Sequence, residues 1–135
     1  MKKIFLLTCL FISFAFISCD PGDSLEANIT NETSKDLFIE FVSSEFPEIN
    51  RSLSVKTSET EVYLDIGKSG TRTNLLYFND FDSIYVKNSS NEILKIFKEN
   101  TTGKNIYNID EYWSVSEPSK NHFIYTYEIT EEDLK

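Results

Sequence analysis

Hydrophobic side chains recur at every second position once the chain has passed residue 24. Leu25, Ala27 and Ile29 alternate with Glu26 and Asn28. The same alternation returns further along the chain, in segments 37–42, 53–56, 62–66, 84–87 and 123–130, and EILKIFK at 92–98 is a further candidate strand. A period of two with β-branched and aromatic side chains is typical of strands that bury one face against a core. In the last segment the predicted inward face consists of Phe123, Tyr125, Tyr127 and Ile129.

Turn-forming residues separate these segments and indicate the fold class. The breakers lie at 67–70, 88–91, 100–103 and 117–119. Between the first two breakers, NLLYF at 74–78 predicts a further, more deeply buried strand. Strands at roughly 8–12-residue spacing, with no long helical stretch, predict an all-β fold, an immunoglobulin-like sandwich of about seven to eight antiparallel strands. Thr130, followed by acids, predicts a capped helical turn near the C-terminus.

The first 18 residues follow a different pattern. Lys2 and Lys3 precede an apolar stretch at 4–17, which predicts the helix of a cleaved secretory signal peptide. A membrane-spanning helix needs about 20 apolar residues, so an uncleaved anchor is the weaker alternative. The predicted organisation is therefore a signal peptide at 1–18, a tether at 19–24 and one β-sandwich domain at 25–135.

The end of this leader resembles the lipobox of bacterial lipoproteins. Phe16, Ile17, Ser18 and Cys19 place a large apolar residue three positions before the cysteine and a small residue directly before it. Phe16 stands where leucine is usual. The resemblance implies cleavage between Ser18 and Cys19 and a diacylglycerol on the Cys19 thiol. A thiolate is nucleophilic enough to form that thioether, and several acyl chains hold a protein on a membrane where one chain is marginal.

Acidic residues that follow Cys19 closely indicate where in the cell envelope the protein is located. Asp20, Asp23 and Glu26 resemble the signal that sends Bacteroidota lipoproteins to the cell surface. In enteric bacteria an aspartate directly after the cysteine instead resembles an inner-membrane retention signal. The chain is rich in Ile and Asn and poor in Ala, and with EYWSV at 111–115 and YTYEITEEDL at 125–134 it resembles small uncharacterised Bacteroidota lipoproteins. We expect outer-membrane attachment with the domain facing outward, a periplasm-facing domain being the alternative.

The charge of the chain limits the classes of partner, and its cysteine content limits how the domain is stabilised. The chain has 13 basic and 22 acidic residues, a net charge of −9, and loses two further positive charges with the leader. This balance argues against nucleic-acid binding and against electrostatic docking on anionic lipid. Because Cys9 leaves with the leader and Cys19 takes the lipid, the domain has no disulfide and depends on its hydrophobic core, with 11 Phe and 7 Tyr in the whole chain.

Catalytic constellations are sparse, and we predict no enzymatic activity, no cofactor and no metal site. The single histidine, His122, fits a surface strand residue better than a catalytic base. Paired acids occur, but a glycosidase needs two carboxylates at a defined separation that the sequence does not give. Asp80 and Asp82 alternate as in a calcium loop, yet the glycine and distal glutamate of the EF-hand are missing, so we favour a solvated turn. The other pairs are Asp110/Glu111 and Glu131/Glu132.

Aromatic residues offer the best candidate for recognition. Tyr107, Tyr112 and Trp113 could form a platform that stacks on sugars or fits a peptide groove. The alternative is that they belong to the core, since Trp usually buries a large area with its N–H satisfied. Ser24 and Ser83 each follow an aspartate in triplets that resemble the O-glycosylation motif of Bacteroidota.

These observations predict a membrane-anchored, non-catalytic lipoprotein of the cell envelope. Its expected contacts are the membrane, through lipid on Cys19, and an unknown protein, peptide or glycan ligand. Two alternatives stay open at this point. One is a small hydrolase or an accessory subunit of an envelope enzyme, and the other is an immunity or inhibitor-type lipoprotein.

Overall fold

The computed structural model describes residues 23–68 and 76–135. In this part of the chain eight strands form two four-stranded sheets, with one single-turn helix, α1 (Ile109–Tyr112), and one 3₁₀ turn at Pro47–Ile49. The strands are β1 (Asp23–Glu32), β2 (Leu37–Val42), β3 (Arg51–Val55), β4 (Thr60–Lys68), β5 (Ser83–Asn88), β6 (Ile93–Phe97), β7 (Ser114–Ser119) and β8 (His122–Thr130). The predicted signal peptide, with Ser18 and Cys19, lies outside the described residues.

The two sheets pack as a β-sandwich, as predicted. The first sheet has the order β4-β1-β8-β7 and the second β3-β2-β5-β6. Two features differ from the immunoglobulin arrangement, in which the first strand lies at a sheet edge. Here β1 lies inside its sheet, and it pairs with β8 in parallel while every other described pairing is antiparallel. Parallel pairing is possible because the chain crosses to the second sheet and back before β8 begins.

The core lies between the two sheets and follows the predicted alternation. In β1 the side chains of Leu25, Ala27 and Ile29 are buried, and they stand in register with Phe123, Tyr125 and Tyr127 of β8. The predicted inward face of β8 is confirmed for Tyr127 and Ile129, which are fully buried, whereas Phe123 and Tyr125 are half-buried like the residues beside them. Aromatic rings run through the core in one connected series, which we call the aromatic row: Phe41, Tyr63, Phe78, Trp113, Tyr127 and Phe97.

A β-bulge in β4 alters the pattern that the sequence suggested there. Alternation predicts Val62, Leu64 and Ile66 on one face. In the structure Ala27 pairs with Leu64 but Asn28 pairs with Val62, so Tyr63 is an extra residue. A bulge bends the strand and redirects side chains. Val62 consequently points outward and is 50% exposed, while the ring of Tyr63 enters the core.

Three smaller predictions are corrected. Leu76, Tyr77 and Phe78 of the predicted 74–78 strand form no strand, and residues 74 and 75 lie outside the described part. Pro118 lies within β7 because β7 is an edge strand that tolerates a residue without N–H, and the turn follows it. The predicted turn at the C-terminus is present, but the Thr130 hydroxyl donates a hydrogen bond in it and does not accept one as an N-cap would. Thr130 ends β8, and its N–H and hydroxyl donate to the Asp133 carboxylate.

Candidate functional site

A cleft of about 450 Å³ opens beside the extended segment 76–79, between that segment and the residues that lead into β7. We call it the tyrosine cleft. Its described lining residues are Leu76, Tyr77, Asn79, Tyr107, Asn108, Ile109, Asp110, Glu111 and Tyr125. Concave surfaces with aromatic walls and a few polar groups are the usual form of binding sites.

One wall of the cleft is set by alternation in an extended segment. Leu76 and Phe78 are buried at 6% and 1% exposure, whereas Tyr77 between them is 60% exposed. The two apolar side chains anchor the segment to the core. Successive side chains of extended backbone point to opposite sides, so the core contacts of its neighbours hold the Tyr77 ring at the mouth of the cleft.

The opposite wall is fixed by a buried asparagine. Asn105 has no exposed surface, and its Nδ2 donates to the carbonyls of Lys98 at 2.8 Å and Thr101 at 3.0 Å. Its Oδ1 accepts from the backbone N–H of Tyr107 at 3.2 Å. A buried amide with all these partners holds the loop in one conformation. The position of Tyr107 is thus determined by the loop that precedes it.

The hydroxyl of Tyr107 joins the two walls. It donates to the carbonyl of Phe81 at 3.0 Å, across from its own loop. Burial raises the pKa of the Tyr107 phenol, and the negative charges of Asp82 and Glu99 raise it further. Tyr107 therefore stays neutral and keeps donating this hydrogen bond across the physiological pH range.

Helix α1 brings acids and amides to the cleft. Glu111 accepts a hydrogen bond from the Tyr112 hydroxyl, which raises the pKa of that tyrosine. Asp110 is exposed and accepts no hydrogen bond from the described residues, and the side chain of Asn108 does not cap the helix. Asn79 on the other wall has an equally unengaged amide within the described part. These polar groups are open to a ligand or to water.

Trp113 lies in the core and not in the cleft. It is 6% exposed, and its indole Nε1 donates to the carbonyl of Ile106 at 2.8 Å. Its ring centroid lies 5.5 Å from that of Phe78 and 5.3 Å from that of Tyr127. The core alternative is therefore the correct interpretation for Trp113, because no face of this ring is left for a ligand.

The cleft only partly coincides with the predicted recognition residues. Of the predicted three, Tyr107 alone is among the lining residues, while Tyr112 is half-buried beside the cleft. Tyr77 and Tyr125 line it and were not predicted as site residues. The sequence offers one local indication that Tyr77 is exposed, namely its hydroxyl between two apolar neighbours. The strand predicted at 74–78 includes this residue and assigns it no role in a site.

A smaller cleft of about 190 Å³ lies on the other side of Tyr77. Here the guanidinium carbon of Arg51 lies 4.4 Å from the ring centroid of Tyr63, and its Nη1 donates to the Tyr63 carbonyl at 3.0 Å. Burial raises the pKa of Tyr63 to about 12, although the Arg51 charge opposes the shift. Asp80 also lines this cleft. The two clefts share Tyr77, so that ring stands between an acidic and a mixed-charge region.

The Ser24 hydroxyl and Nδ1 of His122 form a hydrogen bond, which joins β1 to β8. No carboxylate of the described residues bonds His122, and neither residue lines either cleft. A serine nucleophile needs a base that is oriented by a third group and faces a substrate site. The geometry of the pair fits a structural link.

The second proposed glycosylation serine, Ser83, is 7% exposed, so its hydroxyl is not open to modification in the folded domain.

One acid of the Asp80/Asp82 pair and one of the Glu131/Glu132 pair accept hydrogen bonds from loop residues. Asp82 accepts hydrogen bonds from the backbone and hydroxyl of Ser44, which lower its pKa. Glu131 accepts in the same way from Ser34, at 2.8 Å and 2.7 Å, and its pKa is also lowered. Asp82 thus ties the loop after β2 to the start of β5.

Nowhere in residues 23–68 and 76–135 do three or more His, Cys, Asp or Glu side chains gather as metal ligands could.

Comparison with known proteins finds no match: no protein family, no curated protein and no solved structure is significantly similar to the chain. Across the part of the chain that the structure describes, no helix has the length and apolar character needed to span a membrane.

Proposed function

We propose that the protein is a non-catalytic binding module of the cell envelope, anchored by lipid on Cys19, and that it binds its ligand in the tyrosine cleft. The observation that carries this proposal is the 60%-exposed ring of Tyr77 beside polar side chains that make no hydrogen bond within the described part of the protein. Tyrosine and tryptophan side chains supply much of the binding energy at recognition sites.

The contrast between the polar groups of the cleft and those elsewhere supports the proposal. Asn31 and Asn105 are fully buried, and both the amide and the carbonyl of each are hydrogen-bonded to the surrounding loops. Asn79, Asn108 and Asp110 make no such bonds within the described residues. Buried amides are held by the fold, whereas the exposed side chains of Asn79, Asn108 and Asp110 are available to a ligand that displaces water.

The distance between anchor and domain also supports a role at a membrane surface. Strand β1 begins at Asp23, four residues after Cys19. An extended residue spans at most about 3.6 Å, so this tether keeps the first strand within roughly 15 Å of the lipid-bearing residue. The domain would therefore act close to the membrane and in a restricted orientation.

Partner capture with matched variants tests the binding site. Tyr77→Ala removes the ring at the mouth of the cleft, and Phe38→Ala removes a 40%-exposed ring from the outer face of the second sheet. Native protein and both variants, expressed in the source cell, are crosslinked and recovered. We expect Tyr77→Ala to lose a species that native protein and Phe38→Ala retain. Equal recovery by all three would contradict the assignment of the cleft.

Lipid attachment is tested separately by metabolic labelling with a clickable fatty acid. Native protein should incorporate the label, and Cys19→Ala should not, because only the thiol at this position forms the thioether. Equal labelling of both chains would reject the lipoprotein proposal.

The proposed location is the outer membrane, with the domain facing outward, and it rests on Asp20, Asp23 and Glu26 behind the lipidated cysteine. A protease that does not cross the outer membrane should digest the C-terminal EITEEDLK epitope in intact cells. Protection until the cells are lysed would assign the domain to the periplasm.

A further inference from the structure

We infer that the tyrosine cleft takes a cationic side chain, the guanidinium or ammonium group of an Arg or Lys residue on a peptide or protein partner. This inference rests on the proposed function, since it names the chemistry recognised by that same cleft. It goes further in predicting that charge, and not only shape or hydrogen bonding, selects the ligand.

Charge complementarity is the first argument. Two acids, Asp110 and Glu111, line the cleft, and none of its described lining residues is Lys, Arg or His. Asp82 and Glu99 lie close enough to Tyr107 to act on its hydroxyl electrostatically. The whole chain carries a net charge of −9. An electronegative cleft on an acidic domain attracts cationic partners and disfavours anionic ones.

The aromatic walls are the second argument. The face of a tyrosine ring attracts a cation that lies within about 6 Å of its centroid. This domain already makes such contacts internally, with Arg51 at 4.4 Å from Tyr63 and Lys104 at 5.2 Å from Tyr127. In the cleft Tyr77 offers the same kind of face at 60% exposure.

The free hydrogen-bond acceptors are the third argument. The Asp110 carboxylate and the amide oxygens of Asn79 and Asn108 are unengaged within the described residues, and Glu111 has bonded one hydroxyl only. Guanidinium and ammonium groups carry several N–H donors and no acceptor. A cluster of acceptors beside a tyrosine ring complements such a group, whereas an anion would find no charged donor on the described walls.

The test uses two probes that differ in charge but hardly in shape, N-acetylarginine amide and its neutral urea isostere N-acetylcitrulline amide. Full-length ¹⁵N-labelled protein in detergent micelles is titrated with each and followed by amide NMR. We expect the arginine probe to shift amides at 76–79 and 107–111, with an affinity roughly tenfold above that of the citrulline probe. The binding should weaken as salt is added.

Charge variants test whether the effect is local. Asp110→Asn with Glu111→Gln should reduce arginine-probe affinity about fivefold or more. Glu59→Gln with Glu61→Gln removes two exposed charges that line neither cleft and should leave the affinity unchanged. Equal losses in both double variants would mean that only the overall charge acts and would overturn the inference.

The remaining outcomes separate this inference from the proposed function. Equal binding of the arginine and citrulline probes would overturn cation selection and keep the cleft as a binding site. A third titration uses chitotriose, a neutral sugar. Shifts of the amides at 76–79 and 107–111 with chitotriose alone would have the same meaning. No shift at 76–79 or 107–111 with the arginine probe up to about 50 mM would also overturn the inference, since even weak single-group binding is visible there. Unchanged arginine binding in Tyr77→Ala would contradict the cleft assignment itself.

Discussion

This domain contains two neighbouring groups of aromatic rings, which differ in the burial and hydrogen bonding of their polar atoms. The aromatic row is closed: Trp113 is 6% exposed, and its indole N–H is bonded to the Ile106 carbonyl. The tyrosine cleft is open, with Tyr77 60% exposed beside unengaged side chains. Adjacent residues belong to different groups, since Phe78 lies in the row while Tyr77 lies in the cleft. Aromatic content alone therefore does not reveal which group binds a ligand.

The state of the hydrogen-bonding groups distinguishes the two. In the row the indole N–H of Trp113 is hydrogen-bonded, while the buried Tyr127 hydroxyl has no partner within the described residues. The cleft keeps Asn79, Asn108 and Asp110 free within the described part of the chain. If this distinction is functional, changes in the row should alter stability, and changes in the cleft should alter binding.

Removing Trp113 should have the largest effect. Trp113→Ala empties the centre of the aromatic row, and large-to-small changes of this kind cost about 3–5 kcal/mol of unfolding free energy. Trp113→Phe keeps most of the packing but loses the bond to Ile106, so its cost should be nearer 1–2 kcal/mol. Urea denaturation measures both. A loss below about 0.5 kcal/mol in both variants would contradict the core assignment of Trp113.

High pH should destabilise the row next most strongly. Burial raises the pKa of Tyr63 to about 12 from its ordinary 10.0, and burial also raises the pKa values of Tyr127 in the row and of Tyr107, whose ring packs against Phe78. The unfolded chain then loses these protons first, so stability is complete below pH 10 and falls as pH rises from 10 towards 12. Tyr63 alone should account for a loss on the order of 2 kcal/mol.

Urea midpoints at pH 8, 10 and 11.5 measure this loss. Tyr63→Phe is the matched control, because it keeps the ring and removes the titrating proton, and it should flatten the decline. Identical unfolding free energies for the native protein at pH 8 and pH 11.5 would show that the tyrosines of the row are not buried as described.

The Tyr127 hydroxyl has no hydrogen-bond partner within the described residues, and it predicts a smaller change in stability of opposite sign. A buried hydroxyl without a partner costs free energy, so Tyr127→Phe should leave stability unchanged or raise it by up to about 1 kcal/mol. The melting temperature measures the effect. A clear loss of stability would mean that the hydroxyl of Tyr127 has a partner.

In the cleft, Tyr77→Ala should have the smallest effect on folding. A ring that is 60% exposed contributes little packing, and the expected change is within about 0.5 kcal/mol. The same melting experiment applies. A loss comparable to that of Trp113→Phe would show that Tyr77 belongs to the core, and the contrast between the two groups would disappear.

The sequence predicts the sandwich well because alternation reports directly on burial. The burial of Tyr127 and Ile129 in β8 and the turn at Asn88–Asn91 follow from local patterns that the tertiary structure does not override. The bulge at Tyr63 does not follow, since one extra residue changes which face looks inward without leaving a mark in the composition. Nor does the parallel pairing of β1 with β8, which depends on how distant segments assemble.

The candidate site was predictable only in part for the same reason. The aromatic segment predicts Tyr107 as a candidate, but its place in the cleft depends on Asn105 and on the Phe81 carbonyl, which is 26 residues away in the chain. Tyr77 and Tyr125 come from separate segments that meet only in the folded protein. Trp113 turns inward because Ile106 offers its indole an acceptor, and a local pattern does not contain that information.

Fluorine NMR of protein labelled with 3-fluorotyrosine tests most directly whether the cleft, and not the aromatic row, meets the ligand. Each resonance is assigned with a single Tyr→Phe variant, and the partner recovered by crosslinking is then added. We predict that the resonances of Tyr77 and Tyr107 shift, while those of Tyr63 and Tyr127 in the row do not. Shifts confined to Tyr85, which faces outward on the second sheet, would contradict the account and move the binding site to the opposite side of the sandwich.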